Sequence, residues 1–144
     1  MGFPVLIEER IIELNEVANF DEALGILSAP LVENGYIDVA YVHAISESLK
    51  VNGPYFVLAP YIALPHAQAN GSVHNLALSV LRVKNEVSVG GQPVKLFVML
   101  ASEDVDQHLG ILSKMVEIMD TLEKQEELLT CDFATLTEKM MSLI

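Results

Sequence analysis

Apolar residues recur at helical spacing through the first third of the chain. The three stripes consist of Ile7, Ile11, Ile12 and Leu14; Ala23, Leu24, Leu27 and Leu31; and Val39, Val42, Ile45 and Leu49. Asp21 and Asp38 stand where side-chain caps for the second and third stripes would lie. The Asn-Gly pairs at 34–35 and 52–53 stand where those two helices would end. The pattern predicts three helices and no strand in this region.

The pattern changes to short apolar runs from Tyr55 onward. The runs cover 55–58, 76–81 and 94–100, and each is bounded by Gly, Pro or Asn. Runs of this length between turn residues are typical of buried strands. Val87 and Val89 alternate with polar neighbours before the turn residues 90–93, which predicts a short strand that forms a hairpin with the last run.

Helical periodicity returns after residue 100. Its apolar positions are Leu109, Leu112, Met115, Val116 and Met119, then Leu122 to Leu129, and after Asp132 the residues Phe133, Leu136, Met140 and Leu143. Helices before and after the strand region predict an α/β fold with a mixed, mostly parallel sheet and helices on both faces. No repeat or linker divides the chain, so we interpret residues 1–144 as a single domain.

The composition is that of a globular protein. Hydrophobic residues make up 51% of the 144 positions and charged residues 19%, so the chain can bury a core without disulfides. No uninterrupted apolar stretch reaches the roughly 18 residues of a membrane span, and the first residues lack the basic region of a signal peptide. The single cysteine, Cys131, excludes an internal disulfide and fits a reducing compartment. We therefore expect a soluble cytoplasmic protein.

The chain is strongly acidic. Its 20 acidic and 8 basic residues give a formal net charge of -12. This charge repels nucleic acids and anionic membranes and leaves no basic stripe to neutralise phosphates, so we expect no nucleic-acid partner. The same charge either favours a partner with a basic docking face or serves solubility alone.

His66 is the strongest candidate for chemistry. It follows an apolar, proline-punctuated segment that ends at Pro65. Proline fixes its own φ and pushes Leu64 toward extended geometry, so the histidine should leave the end of a strand along a stiff path. A neutral imidazole has a lone pair that can attack phosphorus, bind a metal or take up a proton. The alternative is a solvated histidine at the end of a strand.

His108 is the second candidate. Ser102, Asp104 or Asp106 can cap a helix that begins after the strand ending near residue 100, which places His108 in the early turns of that helix. The positive end of a helix attracts a phosphoryl group and disfavours imidazolium. Strand ends and helix starts meet at one edge of an α/β sheet, so His66 and His108 could converge. The alternative is a solvated histidine in a first helical turn.

The sequence gives little support for other types of functional site. His43 lies within the third predicted helix and His74 in a loop, and neither is assigned a role. The sequence has no His-Glu-x-x-His and no cysteine pair, so we predict no metal site. It also lacks Gly-x-Ser-x-Gly and both glycine-rich nucleotide signatures, which disfavours a serine hydrolase, a nucleotide-dependent kinase and a dinucleotide enzyme.

The run Gly-Pro-Tyr-Phe-Val-Leu-Ala-Pro at 53–60, followed by Ile-Ala-Leu-Pro-His at 62–66, resembles the active-site segment of phosphotransferase-system EIIA proteins of the fructose/mannitol superfamily. The first of these runs resembles the ascorbate branch most closely. Residues 93–100 and the segment Ala-Ser-Glu-Asp-Val-Asp-Gln-His at 101–108 are similar to the second histidine region of the family. The resemblance extends over essentially the whole chain.

The resemblance implies a phosphocarrier with a mannitol-type EIIA fold. His66 would accept a phosphoryl group from the phosphohistidine of the carrier protein HPr and pass it to a cysteine of a cognate EIIB. The cargo, L-ascorbate or a related sugar or pentitol, would be phosphorylated downstream at the complex of EIIB with the membrane component EIIC. His108 would orient His66 or hold the phosphoryl oxygens, and no cofactor or metal would be needed.

Two other functions stay open at this point. One is a regulatory EIIA-like module whose phosphorylation state controls a protein partner, and the other is a non-catalytic α/β binding module. The sequence also departs from the family pattern just after the histidine, where many relatives carry Gly or Ala and then Arg. Here Ala67 is followed by Gln68, which can donate a hydrogen bond to phosphate but supplies no charge. The substitution leaves the transfer rate and the sugar open.

Overall fold

The computed structural model describes residues 2–144, with all side chains in that range except those of Val105, Gln107 and His108. The strands of this part of the chain are β1 (Ile11–Leu14), β2 (Val57–Ala59), β3 (Tyr61–Ala63), β4 (Ala77–Val89) and β5 (Gln92–Ala101). The α-helices are α1 (Phe20–Glu33), α2 (Val39–Asn52), α3 (Val105–Glu117), α4 (Leu122–Thr130) and α5 (Phe133–Met141), and a short 3₁₀-helix covers Glu8–Arg10. The predicted α/β class is confirmed.

The five strands of the described residues form one sheet, in the order β1-β4-β5-β3-β2. β1 pairs with β4 and β3 with β5 in parallel, whereas the β4–β5 and β2–β3 pairs are antiparallel. The sheet is mixed, as predicted, but its parallel and antiparallel pairs are equal in number, so it is not mostly parallel. Short turns account for this difference, because one residue separates β2 from β3 and two separate β4 from β5, which is too few for a parallel crossover.

The predicted hairpin is confirmed, with a longer first strand than the pattern indicated. Val89 pairs with Gln92, and Gly90 and Gly91 between them have φ values of 57° and 89°. A two-residue hairpin turn with positive φ at both positions favours glycine, which has no Cβ to strain. The segment 87–89 is the end of β4, which runs on from Ala77 across an irregularity in register.

The predicted helix at Ile7–Leu14 is wrong. Ile11–Leu14 forms the edge strand β1, paired in parallel with residues 80–83 of β4. Ile11 packs in one core cluster, while Ile12 and Leu14 pack against the other. Side chains that alternate between two faces are typical of a strand, because successive Cβ atoms of a strand point in opposite directions.

The N-cap of helix α1 lies two residues earlier than its predicted cap. The side chain of Asn19, rather than Asp21, accepts the N-cap hydrogen bond from the backbone N–H of Glu22, at 2.9 Å. Asn19 has the extended backbone that a cap requires, whereas Asp21 lies inside the first turn, where its charge favours the helix dipole. Helix α2 does begin directly after Asp38, as predicted, but the Asp38 side chain makes no cap hydrogen bond and pairs with His74 instead.

The sheet separates two hydrophobic cores, which confirms the prediction of helices on both faces. α1 and α2 pack on one face, where Leu81, Phe97 and Met99 are fully buried. α3, α4 and α5 pack on the other face, against residues that include Leu78 and Val98. Strand alternation produces this division, because odd-numbered residues of the central part of β4 and β5 face one core and even-numbered residues face the other.

β3 and β5 run in parallel, so their carboxyl ends reach the same edge of the sheet. Residues 64–70 leave that edge from β3, and residues 102–104 leave it from β5 and lead into α3. Both predicted site segments therefore lie at this edge. Among the described residues, no helix is both long and apolar enough to cross a membrane.

Candidate functional site

His66 lies just beyond β3, directly after two residues whose backbone groups form hydrogen bonds to segments on either side. Leu64 and Pro65 are buried, and the histidine itself is half-buried. The N–H of Leu64 donates to the carbonyl of Phe56 at 2.8 Å, and the N–H of Leu100 donates to the carbonyl of Pro65 at 3.0 Å. Strand-like pairing thus continues past the end of β3 and stops one residue before the histidine.

The imidazole of His66 is oriented by its own segment. Its Nδ1 lies 2.6 Å from the carbonyl oxygen of Leu64. A carbonyl oxygen can only accept, so Nδ1 carries the proton of this hydrogen bond. In the neutral ring, the lone pair is then on Nε2. This tautomer is suited to nucleophilic attack through Nε2.

A cavity of about 970 Å³ opens beside the histidine. Its walls are Tyr55, the segment 66–70, the loop 102–104 and the α2 residues Ala44, Ser48 and Asn52. Strand ends at the edge of an α/β sheet are where such proteins commonly place their ligands. The cavity is large enough for a phosphoryl group and for part of a protein partner.

The charged side chains on the cavity wall are acidic. Glu103 and Asp104 contribute to the lining, together with the neutral Gln68. No lysine or arginine is among the described residues that line it. The loop that carries the carboxylates is shaped by Ser102, whose Oγ donates to the carbonyl of Asp104 at 2.6 Å. A phosphoryl group on His66 would therefore receive no cationic partner from these residues.

Two tyrosines beside His66 were not singled out from the sequence. The Tyr55 hydroxyl donates to the carbonyl of His66, and its ring lies edge-on to the imidazole, with centroids 5.5 Å apart. Tyr41 is buried, accepts from the N–H of Ala67 at 3.2 Å and donates to the carbonyl of Leu100 at 2.7 Å. Burial raises the pKa of Tyr41 to about 12, although the Ala67 N–H acts in the opposite direction. Tyr41 could have been found from the sequence, because it lies on the apolar face of a predicted helix and a buried phenol needs a polar partner.

His108 lies in the first turns of α3, as predicted. Its side chain is outside the described part of the structure, so its approach to His66 stays a prediction. The other histidines lie elsewhere: His43 is exposed on α2, and His74 is exposed and pairs with Asp38 at 2.9 Å. Within the described residues, no group of three or more His, Cys, Asp or Glu side chains could hold a metal ion.

Comparison with known proteins identifies a family. The sequence model described as "Phosphoenolpyruvate-dependent sugar phosphotransferase system, EIIA 2" matches residues 5–141. The mannitol-specific cryptic phosphotransferase enzyme IIA component of Escherichia coli K12 is 31% identical over 125 residues, which cover 85% of either chain. The ascorbate-specific EIIA component of Mycoplasma pneumoniae is 28% identical over 131 residues, covering 88% of this chain and 82% of its own.

A solved structure shares the fold. Enzyme IIAMTL of Escherichia coli, determined in complex with phosphorylated enzyme IIBMTL, aligns with a TM-score of 0.77. The alignment has 20% sequence identity and covers 95% of this chain and 98% of that one. The relatives include both mannitol- and ascorbate-specific proteins, so they do not separate these two branches. The match over nearly all of its length shows that this chain belongs to the EIIA type-2 family of the phosphoenolpyruvate-dependent sugar phosphotransferase system.

Proposed function

We propose that residues 1–144 act as one EIIA domain, a cytoplasmic phosphocarrier that accepts a phosphoryl group on His66 from phospho-HPr and passes it to a cysteine of EIIB. The observation that carries this proposal is the hydrogen bond from Nδ1 of His66 to Leu64, at the wall of the cavity at the sheet edge. It supports the tautomer whose neutral ring has a nucleophilic Nε2, in a place that a protein partner can reach.

In the first step, the Nε2 lone pair attacks the phosphorus of the donor phosphohistidine in line. The new Nε2–P bond forms as the donor N–P bond breaks, and the donor nitrogen takes the electron pair. Positive charge develops on the His66 ring during attack. The carbonyl of Leu64, which already accepts from Nδ1–H, stabilises this charge without rearrangement. We therefore assign the phosphoryl group to Nε2.

In the second step, the thiolate of an EIIB cysteine attacks the same phosphorus. The S–P bond forms, the Nε2–P bond breaks, and His66 returns to its neutral state. Support for an EIIB partner comes from the relative enzyme IIAMTL, which was solved with phosphorylated enzyme IIBMTL. The membrane component EIIC would then take part only indirectly, through EIIB.

His108 is proposed to orient His66 or to hold the phosphoryl oxygens. Its place in the first turns of α3 supports this role, because helix starts expose backbone N–H groups and a positive dipole end. His108→Ala should slow transfer by about 100-fold, the usual effect of removing one donor to a developing charge. Unchanged transfer kinetics would remove the role from His108.

The proposed cargo is L-ascorbate or a related sugar or pentitol. The segment 53–60 supports the ascorbate branch, as does the ascorbate-specific relative. A mannitol system is the competing assignment, because the mannitol-specific relative has a slightly higher identity than the ascorbate-specific one, 31% against 28%. Phosphoryl transfer from this chain to purified EIIB proteins of each type would distinguish the two.

The second candidate function is a regulatory EIIA-like module. Gln68 favours it, because this residue lines the cavity at a position where the family resemblance implies an arginine. Both functions require phosphorylation of His66. They differ in the next step, since only the carrier passes its phosphoryl group to an EIIB cysteine.

The first experiment is intact-mass spectrometry after incubation with phosphoenolpyruvate, Enzyme I and HPr. We expect one acid-labile phosphoryl adduct on the wild type and none on His66→Ala. His74→Ala is the matched control, because His74 is also near the sheet edge but pairs with Asp38 outside the cavity lining. Labelling of His66→Ala, or an unlabelled wild type with donors that label another EIIA, would overturn the proposal.

A further inference from the structure

The peptide unit between His66 and Ala67 is held at both of its polar ends by tyrosine hydroxyls. The Tyr55 hydroxyl donates to the His66 carbonyl, and the Ala67 N–H donates to the Tyr41 hydroxyl at 3.2 Å. A peptide has one donor and one acceptor group, so these contacts involve both. The two phenols come from different places in the fold, Tyr41 from α2 and Tyr55 from the turn before β2.

Tyr41 connects this peptide to β5. Its hydroxyl has one proton, which goes to the carbonyl of Leu100 at 2.7 Å, and a lone pair that accepts from Ala67. The N–H of the same Leu100 donates to the carbonyl of Pro65 at 3.0 Å. Leu100 therefore fixes the backbone before His66 directly and the backbone after it through Tyr41.

Holding both flanks fixes the direction in which the histidine leaves the backbone. With the Cα–Cβ direction set, the bond from Nδ1 to Leu64 determines the remaining ring rotation. Tyr41 is only 1% exposed, so water does not easily replace its hydrogen bonds. Tyr55 is 40% exposed and contacts the imidazole edge-on, which makes it the outer of the two supports.

We propose that Tyr41 and Tyr55 form a tyrosine clamp that positions His66 for phosphoryl transfer by holding the peptide that follows it. The inference rests on the proposed function of His66. In-line transfer depends mainly on alignment of the attacking atom, and a displacement of about 1 Å can cost about 100-fold in rate. The tyrosines are positioning residues, since they act on the reaction through the backbone of His66.

The test compares Tyr41→Phe and Tyr55→Phe with the matched control Tyr36→Phe. Tyr36 is also buried, at 3% exposure, and its hydroxyl donates to the carbonyl of Pro4 at 2.8 Å, away from the cavity lining. Each substitution removes one hydroxyl and keeps the ring. We expect the kcat for transfer from phospho-HPr to fall by about 10-fold to 100-fold in the clamp variants and to stay unchanged in Tyr36→Phe. The KM of Tyr41→Phe should equal that of wild type, because a buried hydroxyl does not touch the donor.

A second readout needs no phosphorylation. Long-range ¹H–¹⁵N spectra of the free protein report the tautomer of each histidine, and wild-type His66 should carry its proton on Nδ1. The clamp variants should show a mixture of tautomers at His66, while His74 keeps the wild-type spectrum. Tyr55→Phe changes a partly exposed position, so it provides a folded test even if Tyr41→Phe is unstable.

The outcomes distinguish a failure of the clamp proposal from a failure of the phosphocarrier proposal. A wild type that is phosphorylated on His66, with clamp variants of unchanged kcat and unchanged tautomer, would overturn the clamp and leave the phosphocarrier intact. A wild type that accepts no phosphoryl group overturns the proposed function, and the tautomer spectra then decide whether the clamp holds the ring.

Discussion

At the scale of single residues, the backbone around His66 is held by partners on several parts of the fold. Phe56 bonds to Leu64, and Leu100 on β5 bonds to Pro65. A side chain that had to be ordered at each encounter would lose rotamer entropy in every cycle. A prearranged imidazole avoids that loss, which is consistent with a reaction governed by alignment.

Gln68 is the residue at which a single change should strengthen the site. Gln68→Arg places a guanidinium on a cavity wall whose charged members are Glu103 and Asp104. A charge-assisted contact to a phosphoryl oxygen at this exposed position should contribute about 1 kcal/mol. We expect the equilibrium with phospho-HPr to shift about five-fold toward phosphorylated EIIA. Quantitative intact-mass spectrometry of the equilibrated mixture measures this ratio.

Gln92→Arg is the matched control for that change. It makes the same change in net charge at the start of β5, whereas the site lies beyond the end of this ten-residue strand, about 30 Å away. The control should leave the equilibrium unchanged. Equal shifts in the two variants would mean that overall charge, rather than a local contact, determines the stability of the phosphoryl group.

The sequence locates His66 at the candidate site, but it does not locate the residues that hold it. His66 stands out because Pro65 and the family resemblance mark it within one short segment. The hydrogen bonds of Tyr41 reach partners that are 26 and 59 positions away in the chain. No local pattern encodes such pairings, which depend on how α2 packs beside the ends of β3 and β5.

At the scale of secondary structure, the length of a periodic segment decides whether its helix or strand can be predicted from the sequence. The long periodic segments that form α1 and α2 are found correctly, apart from their side-chain caps. The four residues Ile11–Leu14 fit a helical stripe and a strand equally well, because so short a run does not distinguish the two periods. Their assignment depends on the parallel pairing with residues 80–83 of β4, a contact that is remote in sequence.

The Tyr41 hydroxyl joins helix α2 to the end of β5, and this link has a pH dependence. Burial raises the pKa of Tyr41 from its ordinary 10.0 to about 12. As the pH rises, the Tyr41 hydroxyl therefore loses its proton in the unfolded chain before it does so in the folded protein. Its contribution to the free energy of unfolding is complete below pH 10 and is lost as the pH rises toward 12. A difference of this size corresponds to about 3 kcal/mol.

Urea unfolding of the wild type and Tyr41→Phe between about pH 9 and pH 12 tests this link. We expect the free energy of unfolding of the wild type to fall by up to about 3 kcal/mol more than that of the variant, which has no phenol to ionise at this position. The comparison cancels the ionisation of lysines and of the other tyrosines. Parallel pH profiles would show that the hydroxyl of Tyr41 ionises as it does in the unfolded chain.

At the scale of the whole molecule, the net charge of -12 and the acidic cavity wall act in the same direction. On the proposed function, both would attract a donor or acceptor protein with a basic docking face, and neither would supply a cation to the phosphoryl group. A basic residue of the partner could therefore complete the charge balance during transfer. This arrangement predicts that kcat/KM for phospho-HPr falls as ionic strength rises, while kcat changes little, because salt screens the encounter more than the docked complex.

Two substitutions that each remove one negative charge distinguish the electrostatic field of the cavity wall from that of the whole molecule. Glu103→Gln removes a carboxylate from the cavity wall, and Glu123→Gln removes an exposed carboxylate from α4, outside that wall. Coulomb attraction falls with distance and is screened beyond about 8 Å at physiological ionic strength, so only the first carboxylate should act strongly on a docked partner. We expect the salt dependence of kcat/KM to become shallower in Glu103→Gln and to stay at the wild-type slope in Glu123→Gln. Equal slopes in all three proteins would assign the attraction to net charge alone, and a rate independent of salt in the wild type would exclude a basic docking face on the donor.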